Sequence, residues 1–158
     1  MTATYRIRMA TMADIPTIVH HRRAMFSEMG WDDPSQLDAM AEESHLWLAR
    51  KIPSGEYLTW FAIAPDESIA AGAGMWLIDW PPTTMNVNGP AAMILNVYAE
   101  HAHRRRGLAK RLVTTQLDWC RAQGIRVAIL HASEAGRALY AALGFQPTNE
   151  MRLRLDTE

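Results

Sequence analysis

Cysteine occurs once in the 158 residues, at Cys120. One thiol excludes an internal disulfide framework and fits a reducing compartment. Net charge is almost absent: 16 Lys and Arg against 17 Asp and Glu leave a formal −1. That balance excludes nucleic-acid binding by bulk attraction. No run of about 20 apolar residues is present to span a bilayer. Met1-Thr2-Ala3-Thr4 leads directly into a strand-like segment, without the apolar stretch of a secretory signal. A soluble, cytoplasmic protein is the expectation. No segment repeats, is of low complexity or reads as a linker, so residues 1–158 are expected to form one domain. His, Cys and carboxylates do not fall at metal-ligand spacing, and no metal is expected.

What is present is a hydrophobic share of 49%, including ten Met and six Trp. This suits a sizeable core, with an adaptable apolar pocket as a further use of those side chains. Tyr5, Ile7 and Met9 alternate with polar neighbours, as a half-buried strand does. Thr11 and Asp14 have the spacing of a capping box. Ile15, Ile18, Val19, Arg22, Met25, Phe26 and Met29 then follow a helical stripe. Gly30 to Pro34 breaks it, and a second helix is expected over 35–51. Strands are expected over 57–64 and 69–80, followed by a turn-rich loop from Pro81 to Pro90. A buried strand over 93–99, a helix over 107–123 closed by Gly124, and a strand over 127–132 come next. Ser133 opens a short helix to Leu143, and residues 146–155 supply a last strand or hairpin. The order is β-αα-βββ-α-β-α-β.

The densest signal lies between Ile94 and Arg111. The apolar run Ile94-Leu95-Asn96-Val97-Tyr98-Ala99 feeds a short turn, and the turn opens a helix through Arg104-Arg105-Arg106-Gly107-Leu108-Ala109-Lys110-Arg111. A helix N-terminus already carries about +0.5 elementary charge and four unpaired N–H groups. Cations added there are locally unfavourable unless a polyanion neutralises them or they reach away into water. Because the cluster is local, it favours a small anionic ligand over a long polymer.

Two blocks together resemble the GNAT superfamily of acetyl-CoA-dependent N-acyltransferases. One is the loop Arg104-Arg105-Arg106-Gly107-Leu108-Ala109, similar to that family's Gln/Arg-x-x-Gly-x-Gly/Ala pyrophosphate pattern. The other is the segment from Leu130 to Phe145, which ends in Leu139-Tyr140-Ala141-Ala142-Leu143-Gly144-Phe145. The resemblance implies an α+β (α/β/α) sandwich: a mixed, mostly antiparallel sheet with splayed parallel strands and helices on both faces. It implies acetyl-CoA as co-substrate, with its phosphates on the N–H groups of Arg105 to Lys110. The pantetheine arm would run along Asn96, Val97, Tyr98 and Ala99, with Ser133 as a further contact or simply a helix cap. It also implies that the Val97 N–H faces the thioester carbonyl and that Tyr140 donates a proton to the leaving sulfur.

The implied acceptor is an amine on a small molecule or a peptide. At pH 7 only about one amine in 2,500 is unprotonated, a cost of about 4.6 kcal/mol before any bond forms. Many relatives carry a Glu near the position of Met93, and Met93 cannot take a proton. Asp79, Glu28, His20 and His21 are candidate bases, and a water relay is the alternative. Trp31, Trp76, Asp79 and Trp80 lie where the family tends to build its acceptor site, and an aromatic wall with one Asp suits a cationic amine. A coenzyme A-binding sensor without turnover, and transfer of a longer acyl group, are the competing functions; a homodimer is a further expectation left open. Gly72-Ala73-Gly74 echoes a nucleotide-binding motif, but a strand follows it rather than a helix, so close strand packing is the reading. Cys120 falls on a buried helix face, a poor place for a nucleophile.

Overall fold

A computed structural model describes residues 4–156; the Met1-Thr2-Ala3 start lies outside them. Strand β1 spans Arg6–Met9. The Asp14 carboxylate accepts a hydrogen bond from the Thr11 N–H at 2.7 Å, opening a single 3-10 turn as the capping-box spacing predicts. Helix α1 follows over Ile15–Glu28 and α2 over Pro34–Lys51. Asp33 caps α2 by accepting from the Ser35 N–H at 2.9 Å, and Pro34 takes the first helical position, where no N–H is needed. Strands β2 (Tyr57–Ile63), β3 (Ile69–Ile78) and β4 (Ala91–Ala99) form an antiparallel meander. Helix α3 spans Leu108–Ala122, β5 Ala128–Leu130 and α4 Arg137–Ala142.

The sheet order is β1-β2-β3-β4-β5, with only the β4–β5 pair parallel. Each face is covered. Ile15 and Ile18 of α1 and Leu48 of α2 pack on Tyr57, Phe61 and Ile63 of β2. Leu108, Leu112, Val113 and Cys120 of α3 pack on Trp60, Ala73, Met75 and Ile94 from the other side. A sheet covered on both faces needs apolar residues at both parities, which is why β2 and β3 read as continuous hydrophobic runs. Cys120 is buried with its Sγ 3.4 Å from Met75 Sδ, and burial pushes its thiol pKa up. Among the described residues no helix is long and apolar enough to cross a membrane, and no group of three or more His, Cys, Asp or Glu could hold a metal.

Two expectations differ. The helix after Ser133 begins only at Arg137; Ser133 instead accepts from the Gly136 N–H at 3.2 Å in a preceding turn. The last strand is absent among the described residues. Met151, Leu153 and Leu155 alternate with Arg152 and Arg154 as a strand would, yet they are 95%, 80% and 88% exposed and join no sheet. Alternation records a capacity to bury one face; it does not supply the neighbouring edge that a strand requires.

His21, on α1, is buried beside Tyr98, and its Nε2 lies 3.3 Å from Glu100. Burial outweighs the Glu100 charge and pulls its pKa down to about 4, so the ring is neutral at pH 7. The unfolded chain takes up this proton near pH 6.5 and the folded chain near 4. Stability contributed by the neutral ring is therefore complete above pH 6.5 and is lost as pH falls towards 4, by on the order of 3 kcal/mol. A His21→Asn chain is expected to lose less stability than wild type between pH 7 and pH 4.5 in urea unfolding. Equal losses would remove His21 as the cause.

Candidate active site

The β3–β4 register slips in the middle. Gly72 pairs with Tyr98 and Gly74 with Leu95, leaving Asn96 and Val97 opposite Ala73 alone. This is a bulge, and Asn96 takes a positive φ of 55°, which Asn tolerates better than most residues. The slip sends two successive side chains to one face: Leu95 packs among the α1–α2 residues, as Asn96 does, while Ile94, Val97 and Ala99 pack on the α3 side. Strand β5 pairs only with Ala92, Met93 and Ile94. From Leu95 onward the outer edge of β4 has no strand neighbour among the described residues. The bulge and the divergence coincide at Asn96–Val97, where the outer edge of β4 loses its strand partner.

Asn96 is nearly sealed, at 7% exposure, and held by both ends of its amide. Its Nδ2 donates to the Tyr57 hydroxyl at 2.6 Å, and its Oδ1 accepts from Arg22 Nη1 at 2.7 Å. Tyr57 is 1% exposed, and its ring meets Trp47 edge-on at 5.2 Å, with Trp76 a further 5.7 Å beyond Trp47. Burial raises the Tyr57 pKa, so the phenol stays protonated. Close strand packing explains both glycines. A Cβ on Gly74 would stand 1.9 Å from the Tyr57 hydroxyl oxygen, and one on Gly72 3.0 Å from the Phe61 ring.

Past β4 the chain makes a 3-10 turn over His101–His103 and then the basic loop. Arg105 has φ 60° and Gly107 φ 72°, and nothing lies within 4 Å of where a Gly107 Cβ would stand. Left-handed residues just before a helix aim successive N–H groups at one point, the build of an anion cradle. Leu108 is buried and anchors the start of α3, while Arg105, Arg106 and Lys110 are exposed and without partners among the described residues. Arg104 differs. Its guanidinium bonds both Glu28 oxygens at 2.8 and 2.9 Å and the Ala99 carbonyl at 2.9 Å, and it lies over the Tyr98 ring. Arg111 likewise donates to the Tyr5 carbonyl at 2.6 Å.

Tyr140 sits half-buried on α4 with its ring 6.0 Å from that of Phe145, which folds back after Gly144 in its left-handed conformation. Gly136 makes room for it: a Cβ there would stand 2.9 Å from the Tyr140 ring. The hydroxyl has no partner among the described residues, and burial raises its pKa, so it is a phenol and not a phenolate at neutral pH. Ser133 lies one turn away, exposed.

The expected acceptor residues do not gather in one place. Asp79 and Trp80 line an open groove of ≈ 560 Å³ with Pro82 and Pro90. Trp76 belongs instead to the Trp47–Tyr57 cluster, and Trp31 stands exposed at the α1–α2 turn. Of the candidate bases, Glu28 is paired to Arg104, which holds its carboxyl below the usual range. His20 contacts Glu100 at 3.1 Å, and His21 is buried and neutral. Met93 sits in register between Trp76 and Ile129.

The family model described as the acetyltransferase (GNAT) family matches residues 18–145. The chain belongs to the GNAT acetyltransferase family. No curated protein matches the sequence. Among solved structures, a GCN5-related N-acetyltransferase from Ralstonia eutropha JMP134 is 32% identical, with TM-score 0.91, over 98% of this chain and 100% of that one. A predicted acetyltransferase from Clostridium acetobutylicum, solved with acetyl-CoA, is 28% identical, with TM-score 0.87, over 96% and 97%. A glucosamine-6-phosphate N-acetyltransferase from Arabidopsis thaliana shares the fold at 18% identity, with TM-score 0.67, over 97% and 99%. In this GNAT chain unpaired cations, left-handed backbone and open space stand together at the start of a 15-residue helix, an arrangement that suits an anion.

The sequence reading missed Tyr57 and the role of Arg22. One signal was available for Arg22, a cation inside an otherwise apolar helical stripe.

Proposed function

We propose that this protein transfers an acetyl group from acetyl-CoA directly to an amine. The observation that carries the reading is the bulge and open β4 edge at Asn96–Val97, followed in the chain by the left-handed, cation-rich start of α3; Val97 and Tyr140 pack against the same core cluster. The N–H groups from Arg105 to Lys110, with the side chains of Arg105, Arg106 and Lys110, hold the phosphates. Arg104 is not among these donors: Glu28 occupies its guanidinium and the His101 carbonyl accepts its N–H. The pantetheine arm adds to the open edge of β4 from Asn96 to Ala99. The Val97 N–H meets the carbonyl oxygen as it gains charge, and Tyr140 protonates the departing sulfur. Among the described residues no carboxylate bonds to Asn96, and its partners Arg22 and Tyr57 are not bases at pH 7; a water relay for the amine proton is the reading this favours. The acceptor reaches the bulge from the α1–α2 face, where the Asn96 side chain meets Arg22 and Tyr57.

Calorimetric titration with acetyl-CoA, together with mass analysis of a panel of amines and peptides, tests the reading. Binding is expected to weaken as salt rises, because the loop cations are exposed. Arg106→Ala is expected to weaken it by about tenfold, the size of one charged hydrogen bond. Salt-independent binding, or none, would remove the loop assignment. Binding without acetylation of any amine would leave a coenzyme A-binding module.

A further inference from the structure

Arg22 is a cation in the wrong kind of place. It lies on the inner stripe of α1, half-buried, with its guanidinium 5.0 Å from the Phe26 ring centroid and Nη1 on Asn96. Among the described residues no carboxylate pairs with it, although Arg8, Arg23 and Arg104 each have one. Neither Asn96 nor Tyr57 carries a compensating negative charge. Only one of its five N–H donors is used among the described residues, and none of the others is sealed off there as a buried orphan. A guanidinium taken partly out of water without a counter-ion is unfavourable; the same group becomes favourable once a carboxylate fills its fork.

We propose that Arg22 is the docking group for a carboxylate carried by the acceptor, so that the substrate class is amino acids or similar amino-carboxylates rather than simple amines. The inference rests on the acetyl-transfer reading, which brings the thioester to Asn96–Val97. Arg22 touches Asn96 directly, and an attacking amine must come within about 3.5 Å of the carbonyl carbon. A carboxylate one or two carbons from that amine then falls within reach of the free side of the guanidinium. Phe26 and Asn96 fix the plane of the fork, which gives the site a preferred orientation and therefore specificity.

The test compares acetylation rates for a panel of amino acids, the same compounds as carboxamides, and the matching decarboxylated amines. The carboxamides carry the less basic amine and so present more of it unprotonated; intrinsic reactivity favours them. The wild-type enzyme is nevertheless expected to prefer the acids by about tenfold or more in kcat/KM, a change residing mainly in KM. Arg22→Gln is expected to abolish that preference while acetyl-CoA binding persists. Arg22→Lys, which keeps the charge but loses the fork, is expected to retain part of it and serves if the Gln chain does not fold. Acetylation of all three classes at similar rates, or an equal loss across them in the Arg22 variants, overturns the proposal and makes Arg22 a prop for Asn96. Failure to acetylate any amine overturns the transfer reading itself, and this inference with it.

Discussion

Tyr140→Phe is expected to lower kcat by about 100-fold while leaving stability and acetyl-CoA affinity nearly unchanged. The substitution is clean because ring and hydroxyl have separate roles. The ring is held by Phe145 and by the space left at Gly136, and a phenylalanine keeps both contacts. The hydroxyl bonds to nothing within the described chain, so its removal leaves no buried group without a partner. What disappears is a donor that burial keeps protonated well beyond neutral pH. The size of the defect should depend on the leaving group. A coenzyme A-like thiol has a pKa of about 8.5 and benefits from a proton. Replacing acetyl-CoA by the acetyl thioester of a more acidic thiol should therefore narrow the gap between variant and wild type. An unchanged kcat, or a gap insensitive to the thiol, would return Tyr140 to a packing role.

The parts of this molecule legible in the sequence are those written locally. The α3 stripe of Leu108, Leu112, Val113 and Cys120, the closing Gly124 and the Gly144–Phe145 pair follow from spacing alone, and each stands where that spacing puts it. The basic loop and the Tyr140 segment could be read for the same reason. What escaped depends on neighbours distant along the chain. Glu28 takes Arg104 out of the cluster from 76 residues away and the Tyr5 carbonyl takes Arg111 from 106, so five cations in sequence leave three free to meet a ligand. The bulge at Asn96 is a property of the β3–β4 register, and no pattern within β4 announces it. The tail failed in the opposite sense: Met151, Leu153 and Leu155 carry a clear period of two, but no sheet edge receives them. Residue type and nearness to the right loops group Trp31, Trp76 and Trp80 into one aromatic wall. Their strand and turn positions separate them into three surroundings.

Gly74→Ala is expected to be the most damaging of the alanine substitutions at the nine glycines. The residue has no unusual φ, so its requirement is space and not backbone freedom. The added carbon would stand 1.9 Å from the Tyr57 hydroxyl oxygen, 2.7 Å from the ring carbon that bears it and 3.1 Å from the Leu95 carbonyl. Tyr57 cannot yield easily: it is fully buried, with Trp47 edge-on against its ring. Overpacking of this kind costs about 1–3 kcal/mol. Displacing the phenol also leaves the Asn96 amide, itself buried, without its acceptor, for about 1–3 kcal/mol more. A total near 3 kcal/mol corresponds to a fall in Tm of about 10 °C for a chain of this length. Activity should fall in the surviving folded fraction as well, because Asn96 orients the bulge that carries Val97. The double variant Gly74→Ala with Tyr57→Phe separates the two causes. Removing the hydroxyl relieves the shortest contact and should restore part of the stability, but it cannot restore the bond to Asn96, so kcat should stay low. A Gly74→Ala chain melting within about 2 °C of wild type would mean that Tyr57 has somewhere else to go, and that Asn96 is held by Arg22 alone.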